Sequence, residues 1–218
     1  MASNAVENYL KAIFQLNNKV KDGATTNAIG EQLGIKAATV SDMLKKLDSL
    51  KLINYKKYHA VQLTKKGEEL AVSIIRRHRL WEVFLVEKLA FSWDEVHDIA
   101  EELEHIESSE LVNRLDDFLD NPKFDPHGDP IPDRDGVIHR RDQLPLAELT
   151  PGDKAVVTGV KDSSSSFLQF LDNQNIQLGH ELTVMSIFDY DKSRVVEMRG
   201  KSITLSQQVC KNLYVKTA

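Results

Sequence analysis

His97, Glu101, Glu104 and His105 fall at i, i+4, i+7 and i+8 of one segment, VHDIAEELEHI. On a helix of 3.6 residues per turn, all four project from one face within about two turns. Two imidazoles and two carboxylates are costly to crowd together without a cation. As a mixed nitrogen and oxygen set they suit Mn²⁺, Fe²⁺, Co²⁺, Ni²⁺ or Zn²⁺. Upstream, His78 and Glu82 repeat the i, i+4 relation. Downstream, Asp125 and His127 sit in an Asp-Pro-His-Gly turn and are further candidates. Neither helix has the H-E-x-x-H arrangement of a metalloprotease, and the chain offers no nucleophile elbow or Gly-rich phosphate loop. A binding protein is expected, not a metallohydrolase.

Those side chains need rigid carriers. TKKGEELAVSIIRRHRLWEVFLVEKL repeats Leu70, Ile74, Ile75, Leu80, Trp81, Phe84 and Leu85 at three- and four-residue steps, which predicts a long helix. Ser92-Trp-Asp-Glu95 has the form of a capping box and should open the helix that bears His97. SSELVNRLDDFL makes a third, stopped at Asn121-Pro122. Three apolar-faced helices can bury a mutual core and leave a stripe for a second copy, so a homodimer is expected. Residues 121–145 hold five of the six prolines and read as an extended linker.

Ahead of this lies a segment of another kind. VENYLKAIFQL has helical spacing, and TTNAIGEQLGI is a short helix capped by Thr25 or Thr26 and ended by Gly34. A helix with a Val40, Leu44 and Leu47 stripe follows at once. Two short helices joined by a tight turn are a helix-turn-helix, whose second member enters the major groove of double-stranded DNA. Lys36, Ala37, Ala38, Thr39, Ser41, Asp42 and Lys45 are its candidate DNA contacts, because small and polar residues permit close approach to base edges. Residues 53–56 and 60–63 then read as the strands of a wing. Its Lys56 and Lys57, with Lys65 and Lys66 beyond, would meet phosphates.

A net charge of −5 would suit DNA poorly if it were uniform. Instead residues 1–70 carry +4, residues 71–150 carry −10, and residues 151–218 carry +1. That distribution gives a basic head for phosphates and an acidic middle for cations. Apolar runs fall far short of the roughly 18 residues that span a bilayer. The start lacks a signal-peptide pattern, and the single Cys210 fits a reducing cytoplasm. Cys210 reads as a small buried residue of a strand or turn.

NYLKAIFQL, LGIKAATVSDMLKKL, QLTKKGEELA, RRHRLWEVFL, VHDIAEELEHI and the NP…DPHGDPIP linker, in this order over about residues 4–145, resemble the diphtheria toxin repressor family of iron- and manganese-dependent regulators. The resemblance implies a repressor of metal-uptake genes that binds a palindromic operator as a dimer. Mn²⁺ or Fe²⁺ would activate it, at up to two sites per subunit. It implies a primary site of Glu101, Glu104 and His105 with Asn8 contributing. It matches His78, Glu82 and His97 to the ancillary ligands of the iron-dependent members. In some manganese-dependent members a glutamate like Glu82 instead joins residues matching Asp125 and His127, with an acidic residue of the C-terminal domain, for which Asp162 is the candidate. Three positions depart from the pattern. Asn8 stands where the family has methionine or aspartate, and offers only a neutral oxygen. Glu101 replaces the cysteine of the iron branch, which favours the harder Mn²⁺. Asp125 replaces the cysteine of some manganese relatives. The alternative is a winged-helix regulator that answers to a small molecule, its acidic helices serving only to dimerise.

ELTPGDKAVVTGV, ELTVMSIF, RVVEMRG and SITLS alternate in the β manner, and FLQFLDNQNI adds a short helix. A five-stranded barrel is expected, resembling the SH3-like (FeoA-like) domain that ends longer family members, with residues 163–166 as a flexible serine loop. The fold class is therefore α+β and multidomain. A winged helix-turn-helix DNA-binding domain spans 1–70, a helical dimerisation and metal-binding domain 71–144, and an SH3-like β-barrel 148–218.

Overall fold

Apolar cores in a head, a middle and a tail order the chain, which a computed structural model describes at residues 3–19, 22–57 and 59–217. In the head, α1 (Asn4–Lys19), α2 (Thr26–Leu33) and α3 (Ala37–Ser49) close around Leu10, Ile13, Ile29, Leu44 and Leu47. The Thr25 hydroxyl accepts the Ala28 N–H to start α2, and Gly34 at φ 65° ends it. β1 (Ile53–Asn54) and β2 (Gln62–Leu63) pair antiparallel as the wing. The ladder is shorter than the sequence suggested. Val61 bonds instead to the Ala24 carbonyl ahead of α2, which draws that end of the wing away from β1.

α4 (Lys65–Leu89) is one unbroken helix, capped by Thr64, that starts against the wing and runs on into the middle. Head and middle therefore share a rigid element. At its start Gly67 lies on the Leu52 carbonyl so closely that a Cβ would come within 1.9 Å of the oxygen. α5 (Val96–Leu103) and α6 (Ser109–Phe118) pack on the far half of α4 around Leu80, Val83, Leu85, Val96, Val112 and Leu115. The expected capping box does not open α5. Ser92 Oγ donates to Asp94, the Glu95 carboxylate meets the Ser92 N–H only at 3.4 Å, and the helix begins at Val96.

The proline-rich segment is a strap, not a free linker. Phe124 bridges Pro130, Ile131 joins the core around Leu80, and Asp125 and His127 are buried. Its Gly128, at φ +87°, presses on the tail, where a Cβ would lie 2.2 Å from the Thr158 carbonyl oxygen.

The tail sheet comprises β3 (Leu144–Pro145), β4 (Lys154–Val160), β5 (Glu181–Ile187), β6 (Arg194–Met198), β7 (Lys201–Leu205) and β8 (Leu213–Thr217). The order is β3-β8-β4-β5-β6-β7, antiparallel throughout. The strand beyond the expected five is β3, where the end of the strap pairs with β8. α7 (Ser165–Asn173) adds Leu168 and Leu171 to the core formed by Val157, Val184, Val196 and Val215. Two local expectations change. Ser165 and Ser166 form the first turn of α7 and not a loop, and Cys210 is buried on a short helix, α8 (Gln207–Asn212). Among the described residues, no helix is long and apolar enough to cross a membrane.

The Gly67 contact generates a test of the shared helix. Gly67→Ala should lower the unfolding free energy by about 1–3 kcal/mol, measured by denaturant melting. An unchanged midpoint would mean that α4 does not depend on this approach.

Candidate metal centre

Glu82, 2% exposed, is the centre of the site. Its Oε1 lies 3.0 Å from His78 Nε2, 3.6 Å from His97 Nδ1 and 3.7 Å from His127 Nδ1. Three imidazole nitrogens from α4, α5 and the strap thus converge on one carboxylate oxygen. Asp125 closes the group, and the ligand atoms of Glu82, Asp125 and His127 lie within 4.8 Å of one another. A cavity of about 80 Å³ opens among these residues, bordered on the tail side by Val160, Lys161 and Ser163.

Two of the rings are held in fixed orientation. His127 Nε2 donates to the Trp93 carbonyl at 2.8 Å. A carbonyl can only accept, so the Nδ1 of a neutral His127 presents its lone pair to the cluster. His78 Nδ1 lies 2.6 Å from Glu104, which leaves Nε2 facing Glu82. An acceptor behind a ligating imidazole fixes its tautomer and strengthens it as a donor. Asp125 is more committed: its Oδ1 accepts the His127 and Asp129 N–H groups at 2.9 Å, and Arg79 lies 3.3 Å from Oδ2.

The electrostatics favour a cation. Burial opposes a charge on His78, but the carboxylates of Glu104 and Glu82 outweigh it and raise its pKa to about 9. Burial is likewise overcome at His127, chiefly by Glu82, which lifts it to about 9. Burial also disfavours ionised Glu82, yet His127, His78 and His97 hold its carboxyl well below the usual range. Asp125 is pushed up to about 7 by burial and then by the charge of Glu82, against Arg79. A carboxylate kept ionised among protonated imidazoles is a place where a divalent ion can replace protons. Three nitrogens and two carboxylates suit such an ion.

A second group adjoins the first through His78. Glu101 and Glu104 lie with it, and among them sits a lysine. Lys11 Nζ, on α1, is 2.5 Å from Glu101 Oε1 and 2.7 and 2.9 Å from the two oxygens of Glu104. This acidic pair already holds a cation. The shared face inferred from spacing is cut short at its end, because α5 stops at Leu103 with Glu104 as its C-cap. His105 lies just past the helix end, and its Nδ1 is 2.5 Å from Glu7 Oε2. The other Glu7 oxygen accepts Arg77 at 3.0 Å, and Arg77 Nε bonds the Glu104 carbonyl. Asn8 Oδ1 is buried with no hydrogen-bond partner among the described residues, an acceptor that a cation could satisfy. Asp162 accepts the Ser164 N–H at 2.9 Å and, among the described residues, belongs to none of the ligand groups.

On the head, Lys36, Ala37, Ala38, Thr39, Asp42, Lys45, Lys56 and Lys57 are exposed. Ser41 is half-buried and donates to the Ala37 carbonyl, and Asp42 pairs with Lys45 at 2.9 Å. Glu7, Lys11, Arg77, Arg79 and Trp93 were not singled out from the sequence. Lys11 carried a signal: it stands at i+4 from Glu7, an acid and a base one turn apart on the same helix face.

A winged-helix head joined by one helix to a buried carboxylate–imidazole cluster defines a DNA-binding regulator of the metal-responsive class. The chain matches three family models. These are the iron dependent repressor N-terminal DNA binding domain over residues 1–61, the iron dependent repressor metal binding and dimerisation domain over 64–133, and the FeoA domain over 144–217. The iron-dependent repressor IdeR of Mycobacterium bovis is 30% identical over 185 residues, covering 73% of this chain and 79% of the relative. The diphtheria toxin repressor of Corynebacterium glutamicum is 26% identical over 215 residues, covering 93% and 91%. A solved manganese-dependent transcriptional repressor in complex with manganese has a TM-score of 0.88 at 33% identity, over 98% of this chain and 100% of that one. The chain belongs to the iron-dependent, or diphtheria toxin, repressor family of metal-dependent transcriptional repressors.

Two predictions follow from the charges. Protons on His78 and His127 stabilise the metal-free fold fully below about pH 6.5, and that contribution is lost as pH rises through about 9. Metal binding must displace these protons, so Mn²⁺ affinity should climb over the same window, by about ten-fold per pH unit for each proton released. Calorimetric titrations in buffers of different ionisation enthalpy count the protons, and a pH-independent affinity would contradict the scheme. Lys11→Met, which leaves buried Glu104 short of its counter-charge, should destabilise the metal-free protein by about 3–5 kcal/mol. Thermal melts should then show a larger recovery on adding Mn²⁺ than the unaltered chain shows.

Proposed function

We propose that a divalent cation, Mn²⁺ or Fe²⁺, is held by Glu82, His78, His97, Asp125 and His127, and that it switches on operator binding by the winged-helix head. The observation that carries this reading is the convergence of three imidazole nitrogens on one buried Glu82 oxygen, on the same helix that starts against the wing. Metal binds best to the arrangement of heads that fits DNA, and by linkage DNA then favours metal to the same extent. α1 is the second connection, because Glu7 and Lys11 tie the head to His105, Arg77, Glu101 and Glu104. A second ion would use Glu101, Glu104 and His105 with Asn8, after Lys11 and Glu7 let go.

Donors that are all oxygen or imidazole favour Mn²⁺, and solved relatives are described with manganese, zinc and cadmium. The working form is a homodimer in the cytoplasm. Exposed Leu89, Phe91, Leu111 and Phe118 on the middle offer a second copy an apolar face. Two heads would then read a palindromic operator, with Lys36, Ala37, Ala38, Thr39, Ser41, Asp42 and Lys45 at base edges and Lys56 and Lys57 at phosphates. The genes so repressed are those of metal uptake.

Fluorescence anisotropy on candidate upstream DNA at fixed salt, with EDTA and then with Mn²⁺, anaerobic Fe²⁺ or Zn²⁺, tests the switch. Mn²⁺ should tighten binding ten-fold or more, about 1.4 kcal/mol of coupling, and Glu82→Ala should abolish the gain. Equal binding in every condition would favour a regulator that answers to a small molecule.

A further inference from the structure

We infer that Trp93 is a positioning residue through which the tail sets the geometry of the metal cluster, so that the tail acts on the ion without supplying a ligand. The inference rests on the reading of His127 as a ligand. Trp93 lies in the turn between α4 and α5, and makes four contacts of different kinds. Its carbonyl accepts the His127 Nε2–H at 2.8 Å. Its indole stacks on the His127 ring, with centroids 6.2 Å apart and planes 13° apart. Its Nε1–H donates to Asp172 on α7 at 2.9 Å, while the half-buried ring packs on the apolar core of the tail.

Neighbouring contacts make this a clasp. Ser165 Oγ donates to the Asp94 carbonyl at 3.1 Å, and Gln169 Nε2 to the Asp94 carboxylate at 2.7 Å. Ser165, Gln169 and Asp172 are i, i+4 and i+7 of α7, so one helix face grips residues 93 and 94. From the opposite side the Val160 N–H donates to the His127 carbonyl at 2.9 Å. His127 is therefore held at its ring by Trp93 and at its main chain by β4. Only with both in place does Nδ1 point at Glu82. Asp162, the tail carboxylate two residues past β4, is engaged with Ser164.

The test uses the full chain carrying Trp81→Phe, which leaves Trp93 as the single tryptophan, with Asp172→Ala, Asp172→Asn, His127→Ala or Asp162→Ala added. Asp172→Ala should shift Trp93 emission to the red in EDTA, and weaken Mn²⁺ binding about ten-fold. Asp172→Asn keeps an acceptor for the indole and should restore both readouts. His127→Ala should weaken binding at least as much, and Asp162→Ala little. Asp172→Ala at full affinity beside a weakened His127→Ala would overturn the clasp and leave the metal reading standing. Full affinity in both would remove His127 as a ligand and overturn the two together. An Asp162→Ala loss as large as that of His127→Ala would show that the tail supplies a ligand, against the inference.

Discussion

Buried charge on α4 is the constraint from which the rest of the arrangement follows. Arg76, Arg77, His78 and Glu82 are all buried, and taking an ion out of water costs several kcal/mol unless it meets a counter-charge. A helix turns about 100° per residue, so consecutive side chains point in different directions, although Arg77 and His78 both reach Glu104, one at its carbonyl and the other at its carboxylate. Arg76 takes Asp116 of α6, Arg77 takes Glu7 of α1, and His78 takes Glu104 at the end of α5. Arg79 takes Asp125 and Asp129 of the strap. α1, α5, α6 and the strap are each thereby registered to α4 by at least one ion pair.

His78 gives this arrangement its functional character. One ring nitrogen faces Glu82 and the other faces Glu104, so a single imidazole belongs to both acidic groups. A change in what holds Glu82 alters what His78 can offer Glu104, and hence the partners left for Lys11 on the first helix of the head. The coupling path is short, made of groups in contact, and crosses from the middle to the head at two side chains one turn apart, Glu7 and Lys11.

Helical periodicity and turn chemistry made the elements legible in the sequence. Gly34 ends α2 where its position demanded, and the stripe of Val40, Leu44 and Leu47 is the buried face of α3. The i, i+4 spacing was enough to bring His78 to Glu82. Spacing failed where a helix end or a distant partner decides the outcome. His105 was placed on a face that exists only if α5 runs on past Leu103. The contact it makes here, with Glu7, is 98 residues away in sequence, and the Lys11 contacts span 90 and 93. Such pairings leave no periodic trace. The strap was likewise read as extended from its prolines, although its buried Asp125 and His127 need the tail and α4 around them before burial is intelligible.

The unbroken length of α4 has a geometric consequence. Its 25 residues make a rod of about 37 Å at 1.5 Å per residue. The end that abuts the wing lies roughly 20 Å from the turn that carries His78 and Glu82. If the cluster is the pivot, each degree of tilt swings the reading head by about 0.35 Å. About ten degrees then amounts to one base-pair step of roughly 3.4 Å. A small change at the cluster is thus magnified at the head by the length of α4.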